Sequence, residues 1–405
     1  MTTPRRVAVV GASAAGLAAV EGLRREGFDG RITLIGEERH LPYDRPPLSK
    51  QILSSSWDTD RLWLRPPEAL AELDVDLRLG TRAVALDTRV GEIALADHDR
   101  VAYDSLVVAT GVRARRLPNT ADIGGVHYLR TLEDALSVRA SLARRPHVVV
   151  VGGGFVGAEA AAVARELGCE VTIVTEQAVL LANALGTRTA TMLTDVHREH
   201  GVRVETGALV EGVLDDGGRV SGVRLADGRV IAADAVLIGI GALPNIEWLA
   251  GCGVPLGNGV ECNATLRAVD DIWAAGDVAC WPDRVTGEWL RNEHRTNASE
   301  QGLAVALNIL AGPDRAMPFT TVPYVWTDQY DLKIQVYGRT HGFDRMQIVD
   351  GSPADRSFTA LYERDGHVCA AVGVNRVRAL RGLRPLVAAR ADWDEASGSL
   401  TARAA

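Results

Sequence analysis

The sequence predicts an α/β protein with two Rossmann-like nucleotide-binding domains and a C-terminal α+β domain. Three observations carry that expectation. A β-branched run, a glycine-rich turn, an alanine-rich helix and a second β-branched run follow one another in the first forty residues, and the same order returns 141 residues later, from Gly11 to Gly152. From residue 318 onward the pattern changes to short alternating strands, the mark of a separate layer. At 405 residues the chain exceeds one ordinary core, so two or three domains are expected.

RRVAVV (5–10) is the kind of run that forms a buried parallel strand, GASAAG (11–16) opens a helix through about Arg25, and RITLIGEE (31–38) is the next strand. The second unit repeats this with HVVVV (147–151), GGGFVG (152–157), a helix to about Leu167 stopped by Gly168, and CEVTIVTE (169–176). Each unit leads into hairpin signals, at 81–111 and 209–241, that read as a three-strand meander entering an apolar strand with a glycine end: ATG (109–111) and GIG (239–241). This reads as an internal duplication. DIWAAGD (271–277) is a strand with an aspartate at its carboxyl end, and a helix from about Thr296 to Leu310 is ended by Gly312 and Pro313. TVPYVWT, LKIQVYG, MQIVDG, SFTALYE and HVCAAVGV then read as strands before an arginine-rich helix. The expected domains are 1–115 with 242–317, then 116–241, then 318–405.

Composition excludes several functions. The net charge of -8 gives the whole molecule no attraction for nucleic acid or an anionic membrane. Cys169, Cys252, Cys262, Cys280 and Cys369 are scattered and form no C-x-x-C, against a disulfide framework, a metal site or a protein-borne redox pair, so a reducing cytoplasm is expected. Two arginines before an apolar N-terminal run resemble a secretory signal, but the glycines within it tell against one. The apolar run nearest in character to a membrane span, AVLIGIGAL (235–243), is about half of the roughly 18 residues a span needs.

Gly152, Gly154 and Gly157 form G-x-G-x-x-G between a strand and a helix. The first glycine permits the tight turn, the second admits pyrophosphate to the backbone, and the third lets helix pack on strand. The phosphates then sit on the helix N-terminus, beside Phe155 and Val156. In the first loop Gly11 and Gly16 are kept, Ser13 replaces the middle glycine, and Ala14 and Ala15 open the helix. Glu37, 21 residues beyond Gly16, is placed to bind a ribose. Two dinucleotide sites without a catalytic cysteine point to FAD in one and a nicotinamide in the other, the glutathione-reductase-like arrangement. Asp277, after Gly276 at the end of its strand, suits a ribityl chain.

The segments VGASAAG, LPYDRPPLSK, YDSLVVATG, LRTLEDA, VVGGGFVGAE, IGIGALPN, AAGDVA, NASEQG, VPYVWTDQYDLKIQVYG and VNRVR span residues 9 to about 378. In them the chain resembles the NADH-dependent, FAD-containing ferredoxin reductases that serve bacterial cytochrome P450 and ring-hydroxylating dioxygenase systems. The resemblance implies FAD contacts at Ala15, Glu37, Arg45, Lys50, Ala83, Arg130, Asp277 and Arg295. It places Trp326 beside the isoalloxazine and the nicotinamide cofactor on residues 152–157 and Glu159. Ala109, Thr110, Gly111, Glu176, Gly241 and Glu293 complete the expected cofactor-binding set. Arg295 stands where relatives often carry valine or tryptophan, a bulky cation near the flavin pyrimidine. Thr175 stands where many have the acidic residue that binds the NAD ribose, with Glu176 one place later. NADH is preferred over NADPH in this reading, because no basic residue follows closely until Arg188.

A nicotinamide gives two electrons as hydride while a [2Fe-2S] ferredoxin takes one at a time, so FAD stands between them. Lys50 and Glu159 are expected to pair near flavin N5. Of the 44 Lys plus Arg residues all but Lys50 and Lys333 are arginine, and Lys50 follows a proline-stiffened turn. Arg376, Arg378, Arg381 and Arg384 offer a basic patch to an acidic ferredoxin, with the solvated helix face as the alternative reading. A monomer or weak homodimer is expected. A rubredoxin acceptor and a non-enzymatic NADH-sensing flavoprotein remain open. A disulfide reductase, oxidase or peroxidase needs a redox cysteine near the flavin, usually in the first fifty residues, and here the first cysteine is Cys169.

Overall fold

The computed structural model describes residues 4–283 and 287–404. Residues 1–3, which head the signal-like stretch, and Ala405, the expected end of the last domain, lie outside the described residues. The chain divides into two compact units, Met1–Asp44 with Thr59–Arg113 and Ala242–Thr321, and Arg45–Asp58 with Ala114–Gly241 and Val322–Ala405.

The first unit is built on a six-stranded sheet in the order Arg267–Val269, Ile272–Ala274, Ser105–Val108, Arg6–Val10, Arg31–Gly36, Val75–Leu79. The strands from Ile272–Ala274 onward pair in parallel, which needs both faces covered and explains why Val7, Val9, Leu34 and Val107 are all buried. Helix Ala14–Arg25 crosses from the first strand to the second, and helix Arg295–Ala311 lies along it, with Ala306 of the second beside Gly22 of the first. The strands Ala83–Asp87, Glu92–Leu95 and Arg100–Ala102 form the expected antiparallel meander.

In the second unit, Arg203–Thr206, Glu170–Thr175, His147–Val151, Ala235–Ile238 and Val126–His127 form a parallel five-stranded sheet. Val210–Asp216, Arg219–Leu225 and Val230–Ala232 make the matching meander. The duplication read in the sequence is thus a duplication of architecture. Residues 318–405, expected as a third domain, supply an antiparallel five-stranded sheet that belongs to this second unit. Its Phe358 and Tyr362 share one core with Leu185, Ala190 and Leu193, and Tyr362 OH donates to Leu185 O at 2.8 Å. Residues 45–58, expected with the first domain, also belong here, because Arg45 donates to Arg130 O at 2.8 Å and Lys50 pairs with Glu159. Beyond the arginine-rich helix Val377–Ala389 a further helix, Trp393–Ala404, is anchored by the buried Trp393 against Leu380 and Leu383. Among the described residues no helix is long and apolar enough to cross a membrane.

Candidate functional site

The two glycine loops are near copies. Gly11 N donates to Ile35 O and Gly152 N to Val174 O, both at 2.8 Å. Their φ angles, +120° and +110°, lie where L side chains rarely go, and a Cβ at either would sit 2.0 or 2.2 Å from the carbonyl oxygen of Ala109 or Gly239. A Cβ on Gly16 or Gly157 would run into the Gly11 or Gly152 carbonyl, at 1.9 and 2.7 Å. The helices behind the loops start at N-caps Ser13 and Gly154, neither of which gives a side-chain cap. Their first-turn amides, at Ala14 and Ala15 and at Phe155 and Val156, are therefore left to an outside acceptor, and a Cβ on Gly154 would meet nothing within 4 Å. Two buried side-chain atoms in the first unit, Asn297 Oδ1 and Gln301 Nε2, also have no hydrogen-bond partner among the described residues. Both loops fit the pyrophosphate of a dinucleotide, and the first unit keeps polar groups for the rest of one.

The copies also align the carboxylates. Gly36 O accepts from Thr81 N as Thr175 O accepts from Ala208 N, so Gly36 corresponds to Thr175 and Glu37 to Glu176. Thr175 is buried against Gly153, and its Oγ1 accepts from Gln177 N at 3.2 Å. Glu176 is exposed just past the strand, in the place Glu37 holds in the first unit, where Arg82 lies 3.9 Å away.

Around the first loop, Thr110 Oγ1 donates to Asn245 O at 2.8 Å and Asn245 Nδ2 returns a bond to Thr110 O at 2.9 Å, which fixes the turn that includes Ala109 and Gly111. Gly276, at φ +81°, lies beside Ala15 and donates its N–H to Gln301 Oε1 at 2.8 Å. Arg291 donates to Asp277 O at 3.1 Å and to Glu293 at 2.7 Å. Ala83 is buried at the start of its strand. Arg295, expected as a bulky cation, has its guanidinium engaged by Asp44 and Ser299. Asp44, next to the LPYDRPPLSK arginine, is the neutralising partner that the sequence reading did not single out.

In the second unit Pro46 and Pro47 start a short 3₁₀ turn, Pro46–Ser49, whose C-cap is Lys50. Lys50 Nζ donates to Glu159 Oε2 at 2.8 Å, with only 11% and 5% of the two side chains exposed. Ser49 Oγ donates to the same oxygen, and Thr327 Oγ1 donates to Oε1 at 2.7 Å. Glu159 lies on the helix Phe155–Glu166 that the second glycine loop opens. Trp326 is half-buried and stacks on Tyr324 with ring centroids 5.7 Å apart. Gly241 takes φ +98° at the end of the last parallel strand, as Gly111 takes +63° in the first unit.

Ser49, Thr327, Gln329 and His197 are the site neighbours that the sequence reading missed. Alternation along Tyr324–Gln329 was a usable signal: it sends Thr327 and Gln329 to one face, away from Trp326. The four arginines are exposed, with Arg378 and Arg381 on the side of their helix away from the buried Leu380, Leu383 and Val387 and Arg384 at its flank. Arg376 lies 3.7 Å from Asp350.

Two glycine-loop Rossmann sheets, each with an uncapped helix and a carboxylate just past its second strand, define a pyridine-nucleotide oxidoreductase. The chain belongs to the pyridine nucleotide-disulphide oxidoreductase family, whose model matches residues 5–302, and a Reductase C-terminal model matches residues 324–399. Within that family it groups with ferredoxin reductases. It is 36% identical to rhodocoxin reductase of Rhodococcus erythropolis over 384 residues, 94% of this chain and 89% of that protein. It is 37% identical over 386 residues to the ferredoxin–NAD(+) reductase component of the anthranilate 1,2-dioxygenase system of Burkholderia cepacia, covering 95% and 94%. Its fold superposes on putidaredoxin reductase in the covalent putidaredoxin reductase–putidaredoxin complex with a TM-score of 0.91, at 32% identity and 99% coverage of both chains.

Proposed function

We propose that this chain is an FAD-dependent reductase that passes electrons from NADH to a [2Fe-2S] ferredoxin serving a cytochrome P450 or ring-hydroxylating oxygenase. The observation that carries the reading is the buried pair Lys50–Glu159, which joins the LPYDRPPLSK turn to the helix opened by the second glycine loop. Bound FAD would supply acceptance of a hydride and release of its two electrons one at a time. The first loop, with Ala15 and Asp277, would hold that group. Residues 152–157 would hold the pyrophosphate of NADH, and Glu176 its adenosine ribose, where a carboxylate repels the 2′-phosphate of NADPH. Lys50 would present an ammonium whose position is set by Glu159, steadying negative charge as hydride arrives, and Trp326 would shield that region from water. The exposed arginines of the C-terminal helix would receive an acidic ferredoxin.

The test is NADH-driven reduction of a panel of purified [2Fe-2S] ferredoxins and rubredoxins. Fast reduction of one or more ferredoxins is expected. Reduction of rubredoxins alone would reassign the acceptor, and a flavin that NADH reduces without passing electrons to any carrier would reject the reductase reading.

A further inference from the structure

Glu159 ends a longer run of hydrogen bonds. Thr327 Oγ1 donates to Glu159 Oε1 at 2.7 Å, Gln329 Nε2 donates to Thr327 Oγ1 at 2.9 Å, and Gln329 Oε1 faces His197 Nε2 at 2.7 Å. Tyr330 OH faces the other imidazole nitrogen, Nδ1, at 3.2 Å. Thr327, Gln329 and His197 are each at most 1% exposed, so water does not compete for these bonds.

The direction of the run follows from its end. An ionised carboxylate only accepts, so the Thr327 hydroxyl gives its proton to Glu159 and must itself accept from the amide nitrogen of Gln329. The Gln329 oxygen then accepts from His197 Nε2–H, which leaves Nδ1 as the acceptor for Tyr330. The Tyr330 bond in this direction requires a neutral imidazole. Burial supplies it, by pushing the His197 pKa down to about 4.

We propose that Thr327, Gln329 and His197 are positioning residues, a one-way series of donors that holds the Glu159 carboxylate in the orientation that receives Lys50. Ser49 and Lys50 occupy Oε2 and Thr327 occupies Oε1, so without Thr327 the carboxylate is free to turn about its last bond. The inference rests on the reading that Lys50 assists hydride transfer, and it extends the site to residues remote from the lysine.

Lys50 and the exposed Lys333 are the only lysines, so flavin-loaded protein carrying lysine ¹³C-labelled at Cε gives two side-chain NMR signals, one of them an internal control. Thr327→Val is expected to move the Lys50 signal toward that of Lys333 and Thr327→Ser to leave it in place. His197→Phe should move it in the same direction as Thr327→Val. Gln329→Met gives the same displacement and keeps the test open where Thr327→Val does not fold. In stopped-flow, Thr327→Val should slow hydride transfer by about ten-fold at unchanged NADH affinity, the worth of one charge-assisted hydrogen bond. A Lys50 signal unmoved in Thr327→Val and Gln329→Met overturns the proposal, and one moved there but not in His197→Phe overturns the role of His197. A moved signal with an unchanged hydride rate leaves the positioning intact and overturns instead the part given to Lys50 in hydride transfer.

Discussion

Lowering the pH from 7 to 5 is expected to cost the folded protein about 2 kcal/mol through His197 alone. Burial holds this imidazole at a pKa of about 4 against its ordinary 6.5, and the bond to Gln329 offsets only part of that effect. The unfolded chain takes up its proton near the ordinary value while the folded one resists. The contribution is therefore fully present above about pH 6.5 and is lost as the pH falls through about 4, with a ceiling of about 3 kcal/mol at roughly 1.36 kcal/mol per unit. At pH 5 nearly every unfolded chain carries the proton and only about one folded molecule in ten does, which gives the figure of about 2 kcal/mol. The assay is urea unfolding followed by tryptophan fluorescence at both pH values, for the wild type and for His197→Asn. Subtracting the variant's loss from that of the wild type removes every other titrating group. A remaining difference below about 0.5 kcal/mol would refute the reasoning, because it would mean that folded His197 protonates readily. A cationic imidazole would also have no lone pair for Tyr330, whose hydroxyl would then accept from Nδ1–H, while the bond from Nε2–H to Gln329 would keep its direction.

Lys50→Met should slow flavin reduction by NADH in stopped-flow by about ten-fold or more, since the variant keeps an unbranched side chain of nearly the same length and removes its charge; an unchanged rate would exclude Lys50 from the step. Glu176→Ser should lower the preference for NADH over NADPH by roughly ten-fold in the ratio of kcat/KM values, and a preference that does not move would put the ribose contact elsewhere. Ferredoxin reduction should slow as ionic strength rises from about 50 to 300 mM, and replacing Arg378, Arg381 and Arg384 with alanine should flatten that response. A rate insensitive to salt in the wild type would count against docking on these arginines.

What was legible in the sequence is what short-range chemistry dictates. The strands Arg6–Val10 and His147–Val151 follow from β-branched runs, the loops after them from glycines whose Cβ would strike a carbonyl, and the helix stops at Gly168 and Gly312 from glycines at positive φ. The assembly of units was less legible, because the core shared by Leu185, Leu193, Phe358 and Tyr362 joins segments more than 150 residues apart without any local mark. The side chains around Glu159 show the same division. Lys50 stood out by its rarity, whereas Thr327 and Gln329 are ordinary strand residues until the strand is laid against the helix that carries Glu159. His197 lies on the buried face of Thr187–Glu199, with Ala190, Leu193 and Thr194, where a histidine is easily read as core. Thr175 shows what register adds to resemblance: the paired carbonyls align it with Gly36, and Glu176, one residue later, takes the place of Glu37.

The arrangement about Glu159 also accounts for the use of lysine at position 50 in a chain that is otherwise built on arginine. A guanidinium is a planar fork that binds a carboxylate best through both oxygens at once. Here Oε1 is already taken by Thr327, and Oε2 must share its lone pairs between Ser49 and the residue at 50. An ammonium meets that demand because it is a compact point charge that can approach one oxygen from one side. The two prolines that start the turn leave little backbone slack for a larger head group to find another pose. Arg45, five residues earlier in the same turn, meets a different acceptor, since it donates to the backbone carbonyl of Arg130. The difference between the two positions lies in the acceptor each one meets: a shared single carboxylate oxygen at Lys50, and a backbone carbonyl at Arg45.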